Sequence, residues 1–299
     1  MKRNLKVIAV ACLFLFAGDS LAQATGEDSE SLRIAALEAL ISAPPERALP
    51  IVDKVLAGDH SDELKERALF ILSQLDSPEA QSRLMSFARD SQGEMRLEAI
   101  RMIGISGDAQ AMSGLAEIYS SGDSDTREAV LEAYMIADDS ESVFAIAAAT
   151  QDEDEFANAV EMLGAMGASD KLRDLRERAG LSESLIEAYA ISGDAETLRQ
   201  LALDDSDPET QQHAIEGLGI IGGDDVGELL VDIYRNSQSA AVREAAIEGL
   251  MIADDDAGML ELYRIAATSE EKQQILEMLV AMDSKEVWDL IDAAFEGLL

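Results

Sequence analysis

The sequence predicts an all-α superhelix of about nine stacked helical hairpins. Three observations carry it: a nine-fold internal repeat, an apolar content rich in Ala, Leu, Ile and Met but only 4% aromatic, and five prolines that leave long helices uninterrupted. Thin layers of paired helices suit such a composition better than one thick core does.

The repeat is carried by Ala36-Leu-Glu-Ala-Leu40, Ala68-Leu-Phe-Ile-Leu72, Ala99-Ile-Arg-Met-Ile103, Val130-Leu-Glu-Ala-Tyr134, Ala159-Val-Glu-Met-Leu163, Leu185-Ile-Glu-Ala-Tyr189, Ala214-Ile-Glu-Gly-Leu218, Ala246-Ile-Glu-Gly-Leu250 and Ile275-Leu-Glu-Met-Leu279. Successive copies lie 26 to 32 residues apart, which is room for two short helices and two turns. With the first residue of each segment as position 0, positions 0, +1, +4 and +7 or +8 fall on one mostly apolar face, as a buried face requires, so each segment marks the second helix of a hairpin. Shorter amphipathic stretches, such as Gln81 to Ala88, Met112 to Tyr119, Val226 to Tyr234 and Met259 to Ala266, supply the first helices. The turns fit: second helices end in Gly107-Asp108, Asp138-Asp139, Gly193-Asp194, Gly222-Gly223-Asp224 or Asp254-Asp255-Asp256, where Gly can take the left-handed helix end and Asp can cap the next helix. Ser61-Asp62, Asp123-Ser124-Asp125 and Asp205-Ser206-Asp207-Pro208 open second helices in the same way. At the carboxyl end, Val287, Trp288, Ile291 and Phe295 share a face and predict a closing helix; at the other end, Leu32 to Leu40 lacks a first partner helix.

Residues 1–22 read as a secretory signal peptide, 23–30 as a short linker and 31–299 as the solenoid. Lys2, Arg3 and Lys6 precede an apolar run, Val7 to Ala17, too short to span a bilayer, and Ser20-Leu21-Ala22 offers a cleavage site before Gln23. An exported protein is expected, periplasmic or extracellular, with no membrane insertion once the signal is removed. The single cysteine, Cys12, lies inside that run, which excludes thiol catalysis and cysteine metal sites in the mature chain. Removing these residues takes the formal charge from −37 to −39, a field that repels nucleic acid and attracts cationic surfaces.

The segment Asp207-Pro208-Glu-Thr-Gln-Gln-His-Ala-Ile-Glu-Gly-Leu-Gly-Ile-Ile-Gly-Gly-Asp224 resembles the second helix of HEAT-like repeats of the bilin-lyase type, and the resemblance extends over roughly residues 31 to 299. Such repeats carry a cation three residues before position 0, matched here by Arg33, Lys65, Arg96, Arg127, Arg243 and Lys272 and lost at Phe156, Ser182 and Gln211. The resemblance implies a HEAT-like solenoid whose second helices line its concave face. It also implies a ladder of cations and opening Asp residues between repeats, broken around residues 152 to 212.

On that face, position +2 is Glu38, Glu132, Glu161, Glu187, Glu216, Glu248 and Glu277, interrupted by Phe70 and Arg101, and position +6 is Ile105, Ile136, Ile191, Ile220 and Ile252, with Ala165 and Ala281. An acidic stripe beside an apolar one suits a protein or peptide with a basic, partly apolar surface. A modest rotation of each helix would instead bury position +6 and expose position +7.

No phosphate loop, zinc-protease or serine-hydrolase motif is present, so no catalytic, cofactor or metal residues are expected. His60 lies in a turn. His213, with Glu209 and Glu216 one turn to either side, is expected to be an exposed helix residue among opposite charges, with a metal-binding trio as the alternative. Clusters such as Asp204-Asp205-Ser206-Asp207 lack the spacing of a calcium loop. The expected function is a non-catalytic interaction scaffold. An enzyme subunit and a self-assembling structural protein stand as alternatives.

Overall fold

The computed structural model describes residues 26–283 and 285–295; the signal-peptide assignment lies outside them. All regular structure among the described residues is helical: α1 (Gly26–Glu38) with a 3-10 turn (Ala39–Ser42), α2 (Pro45–Ala57), α3 (Asp62–Gln74), α4 (Pro78–Asp90), α5 (Glu94–Ser106), α6 (Ala109–Ser121), α7 (Ser124–Ile136), α8 (Ser140–Ala149), α9 (Glu153–Ala165), α10 (Ser169–Ala179), α11 (Glu183–Ser192), α12 (Ala195–Ala202), α13 (Pro208–Ile221), α14 (Asp224–Asn236), α15 (Ala240–Ile252), α16 (Asp256–Ile265), α17 (Ser269–Ala281) and α18 (Lys285–Phe295). Eight of the nine repeat segments lie within odd-numbered helices, the first, Ala36 to Leu40, runs from α1 into the 3-10 turn, and the shorter amphipathic stretches fall on even-numbered helices. Residues 26–30 of the expected linker are the start of α1.

Two compact units divide the chain, one ending at Ala133 and the other beginning at Tyr134. In each, helices pack consecutively as antiparallel pairs, an α-α repeat architecture. In the first unit, positions 0, +1 and +4 of α3 (Ala68, Leu69, Leu72) and α5 (Ala99, Ile100, Ile103) are fully buried. In the second, the same positions are buried on α9 (Ala159, Val160, Leu163), α11 (Leu185, Ile186, Tyr189), α13 (Ala214, Ile215, Leu218) and α15 (Ala246, Ile247, Leu250). Burial of this recurring face is the main source of stability, at roughly 1.5–3 kcal/mol per large side chain.

Turn chemistry sets the hairpin geometry. Gly107 and Gly193 end α5 and α11 with φ of 61° and 74°, and Asp138 and Asp254 adopt the same left-handed conformation after α7 and α15. The following Asp then caps the next helix: Asp108 accepts from Ala111 N–H at 2.9 Å, Asp139 from Ser142 at 3.1 Å, Asp194 from Thr197 at 3.2 Å and Asp255 from Gly258 at 2.9 Å. The turn after α13 departs from this pattern. Gly222 and Gly223 both have positive φ, Gly223 takes the cap position, and Asp224 becomes the first residue of α14.

The Asp255 cap depends on a glycine in the neighbouring helix. A Cβ on Gly227 of α14 would stand 1.9 Å from Asp255 Oδ2, so any larger residue displaces the carboxylate that starts α16. Gly227→Ala is therefore expected to destabilise the second unit by about 1–2 kcal/mol, the size of a lost cap, despite alanine's better helix propensity. Urea denaturation measures it, and Gly227→Ala with wild-type stability would contradict the packing described.

Charged pairs tie neighbouring repeats mainly through even helices. Arg83 pairs with Asp53 at 3.0 Å and Arg89 with Glu117 at 2.7 Å in the first unit. In the second, Lys171 pairs with Glu141 at 2.8 Å, Arg173 with Asp194 at 2.6 Å, Arg199 with Asp225 at 3.8 Å and Arg235 with Glu261 at 2.6 Å. Cations three residues before position 0 behave variously: Arg243 meets Glu271 at 3.3 Å, while Lys272 lies 5.5 Å from the Tyr263 ring centre. Around residues 152 to 212 that position has no cation, yet Lys171–Glu141, Arg173–Asp194 and Arg199–Asp225 still link the repeats there. Each exposed pair adds only about 0–1 kcal/mol.

Val287 on α18 is fully buried and caps the last hairpin, whereas Trp288 remains half exposed. No helix among the described residues is long and apolar enough to cross a membrane.

Candidate functional site

With 100° per residue, positions +3 and +5 flank the buried arc of an odd helix, and +2 and +6 lie opposite it, at about 200° and 240°. In the second unit, the flanking positions are small and carry the stacking of odd helices. A Cβ on Gly164 (+5, α9) would lie 3.0 Å from the Ala188 carbonyl (+3, α11), and one on Gly217 (+3, α13) would lie 3.2 Å from Ala190 Cβ (+5, α11). A Cβ on Gly219 (+5, α13) would lie 2.7 Å from the Gly249 carbonyl (+3, α15). This contact line fixes the rotation of each helix and turns +2 and +6 outward.

Position +6 is accordingly exposed on every helix where it is Ile: Ile105 at 40%, Ile136 at 44%, Ile191 at 51%, Ile220 at 65% and Ile252 at 48%. Position +7, which would be exposed had the helices been rotated, is half-buried at Ser106, Ala137, Ser192, Ile221 and Ala253. At +2, Glu161, Glu187, Glu216 and Glu277 are exposed and Glu132 and Glu248 half-buried.

Where α9, α11 and α13 stack, the low floor left by Ala157, Ala188, Ala190 and Gly217 opens a cavity of about 440 Å³. Its walls rise in three tiers. Glu183, Ser184 and His213 stand at the amino-terminal end, Glu161, Glu187 and Glu216 in the middle, and Ile191 and Ile220 at the carboxyl-terminal end. Five of the residues anticipated for partner binding therefore meet in one place. Glu132, Glu248, Glu277, Ile105, Ile136 and Ile252 lie outside the cavity.

His213 Nε2 sits 3.9 Å from Glu183 Oε1 of the adjacent helix α11, an ion pair only when the imidazole is protonated. Glu183 was missed in the sequence, although it precedes Glu187 by one turn and so shares its face. Glu161, Glu187 and Glu216 have no cationic partner among the described residues, and α9, α11 and α13 contain no Lys or Arg. The residues replacing the repeat's usual cation serve local structure: Ser182 Oγ accepts from Leu185 N–H at 3.3 Å, and the buried Gln211 amide donates to the Ala202 carbonyl at 2.7 Å. No Lys or Arg lines the cavity.

A larger groove of about 570 Å³ between α14 and α16 is also rich in carboxylates, but Arg235 spans it, bonding Asp232 and Glu261 at 2.6 Å each. The α9–α11–α13 cavity has no Lys or Arg in its lining and adds two exposed isoleucines to its carboxylates, which makes it the stronger candidate. Groups with raised pKa lie in helix packing instead: burial pushes the Tyr134 phenol up to about 12 and raises those of Tyr189 and Tyr234. Among the described residues, no group of three or more His, Asp or Glu is placed to hold a metal ion.

Uncompensated like charges oppose folding. The triple variant Glu161→Gln, Glu187→Gln, Glu216→Gln is expected to be more stable than the wild type by about 1 kcal/mol at low salt, with the gain fading at high salt as screening takes over. Thermal denaturation at two ionic strengths checks this, and a salt-independent loss of stability would contradict it.

Stacked helical pairs with an outward acidic and aliphatic face define an α-helical repeat protein with a surface cavity. The chain belongs to the HEAT-repeat family, whose model matches residues 53–135 and 183–251, about half of its length. No curated protein matches. Among solved structures, it is similar to the complex of CpcE and CpcF of phycocyanin lyase from Nostoc sp. PCC7120, at 17% identity and a TM-score of 0.33, covering 90% of this chain and 99% of that one. It is also similar to human deoxyhypusine hydroxylase in complex with glycerol, at 17% identity and a TM-score of 0.34, covering 89% of this chain and 91% of that one.

Proposed function

We propose that this HEAT-repeat protein is a non-catalytic interaction scaffold that docks a protein or peptide with a basic, partly apolar surface on the odd-helix face of its second unit. One observation carries the reading: three glutamates without cationic partners and two exposed isoleucines converge from successive helices on one cavity. Such a face leaves both charge and apolar surface unsatisfied in the free protein, and a cationic partner with aliphatic flanks satisfies both. A second copy of the same face would set like charges against like, which disfavours self-assembly through it.

The test is capture of partners from an extract by the wild type and by the variant Glu161→Lys, Glu187→Lys, Glu216→Lys. The reversed variant is expected to lose the wild-type partners; an unchanged set discards the face as the recognition surface. The His213–Glu183 pair favours a catalytic alternative, since a His and a carboxylate share the cavity. Under the scaffold reading, His213→Ala leaves partner capture intact.

Export to the cell envelope is part of the proposal. It is supported by Lys2, Arg3 and Lys6, the run Val7 to Ala17 and Ser20-Leu21-Ala22. Mass spectrometry of the mature protein is expected to find Gln23 at the amino terminus, and an intact Met1 chain would contradict export by cleavage.

A further inference from the structure

We propose that a second cavity, of about 380 Å³ between the turn that opens α13 and the turn that opens α15, is a binding site for an arginine side chain supplied by a partner protein. It shares no lining residue with the α9–α11–α13 cavity, so the inference stands whether or not that face docks a partner.

A neighbouring repeat shows what is missing there. Three residues before position 0 of α15, Arg243 reaches two ways: Nη1 donates to the Ser237 carbonyl behind it at 3.2 Å, and Nε meets Glu271 Oε1 of α17 at 3.3 Å. Gln211 takes the same place on α13 and makes only the backward bond, its Nε2 donating to the Ala202 carbonyl at 2.7 Å. Its side chain is too short to reach further, and Val242 stands on α15 where α17 has Glu271. The charged rung that joins α15 to α17 is therefore missing between α13 and α15, and the cavity opens between those two turns. Gln211 lines it and is only 9% exposed. With Nε2 committed to Ala202, Oε1 is left as an acceptor without a donor among the described residues, an unfavourable state for a buried amide that a donating ligand relieves. Asp205 in the same lining has no cationic partner among the described residues, whereas Asp232 is already held by Arg235 at 2.6 Å. The matching ligand is thus a positively charged donor. Leu203, 63% exposed, together with Pro208 and Ile233, adds apolar wall beside these acceptors. A guanidinium suits that mixture, because its edge carries five N–H donors and its weakly hydrated flat faces lie against apolar groups. An ammonium is compact and strongly hydrated, so an apolar wall strips its water without replacing it.

The acidic surface attracts any cation, so the test holds ionic strength constant. The full chain, labelled with 15N and at leucine methyl groups, is titrated with Nα-acetyl-arginine methylamide and followed by NMR. Saturable shifts are expected at the Gln211 side-chain amide and the Leu203 methyls, with Leu32, exposed in the other unit, unmoved. The neutral isostere Nα-acetyl-citrulline methylamide and the ammonium analogue Nα-acetyl-lysine methylamide are each expected to bind at least about tenfold more weakly. Gln211→Arg is expected to abolish binding, because the chain then fills the site with its own guanidinium. Asp205→Asn, a change at an exposed turn residue that leaves helix packing untouched, is expected to weaken binding about fivefold and keeps the test open should Gln211→Arg disturb the fold. Shifts that grow without saturation, or that move Leu32 as much as Leu203, would overturn the site. Equal affinity for the lysine or citrulline compound would overturn the assignment to arginine, as would wild-type affinity in a folded Gln211→Arg variant.

Discussion

Gly219→Leu is expected to destabilise the second unit by about 3 kcal/mol or more, close to the upper range for overpacking. Gly219 lies at the line where α13 meets α15, and even a Cβ there would stand 2.7 Å from the Gly249 carbonyl oxygen and 2.9 Å from its Cα. Those are backbone atoms, so no side chain can swing aside, and relief requires moving one helix away from the other. Separation would uncover Leu218 and Leu250, both fully buried, and lose their packing. One residue on, Ile220 is 65% exposed, and Ile220→Leu is expected to change stability by less than about 0.5 kcal/mol. Urea denaturation of the two variants gives the comparison. Similar stabilities would mean that α13 and α15 do not meet along this line.

Tyr189→Ala should have an effect of the same order, about 4 kcal/mol. Tyr189 is among the largest fully buried side chains of the chain, at position +4 of α11, directly behind the cavity-lining residues Glu187, Ala188 and Ala190. Its hydroxyl donates to the Leu172 carbonyl of α10 at 3.2 Å, and burial raises its pKa. Tyr189→Phe retains the ring and loses only that bond, for about 1 kcal/mol. The ratio of the two losses separates ring packing from hydrogen bonding. If Tyr189→Phe were as damaging as Tyr189→Ala, the hydroxyl and not the ring would hold α11 on α10. Loss of Tyr189 is also expected to weaken partner capture, because the floor of the cavity is the outer surface of this same helix.

The fold was legible in the sequence because the repeat rests on burial at positions 0, +1 and +4, and burial leaves a periodic apolar trace. The turns were mostly legible too, since a Gly followed by a capping Asp is a local pattern, although Asp138 and Asp254 take the left-handed place that only Gly was expected to fill. Gly222-Gly223-Asp224 was not, because two successive positive-φ residues place the cap one position earlier than Asp224. Whether Ile191 and Ile220 face outward depended on helix rotation, which is set by contacts between repeats and not within one. The deciding residues, Gly164 against Ala188 and Gly219 against Gly249, are small residues whose role appears only once their partners are known. The missing cations at Phe156, Ser182 and Gln211 were visible as a broken pattern. That Glu161, Glu187 and Glu216 have no cationic partner was visible only once Lys171, Arg173 and Arg199 were placed, each engaged elsewhere by Glu141, Asp194 and Asp225.

Solvent accessibility and partner protection of single cysteines test the central claim most directly, because Cys12 is the chain's only cysteine and lies in the segment expected to be removed on export. Ile191→Cys and Ile220→Cys should react rapidly with a thiol reagent in the free protein and become protected when the partner is bound. Ile186→Cys and Ile215→Cys, at buried positions, should react only on unfolding. Rapid labelling at Ile191→Cys and Ile220→Cys that a saturating partner leaves unchanged would contradict the assignment of this face as the docking surface.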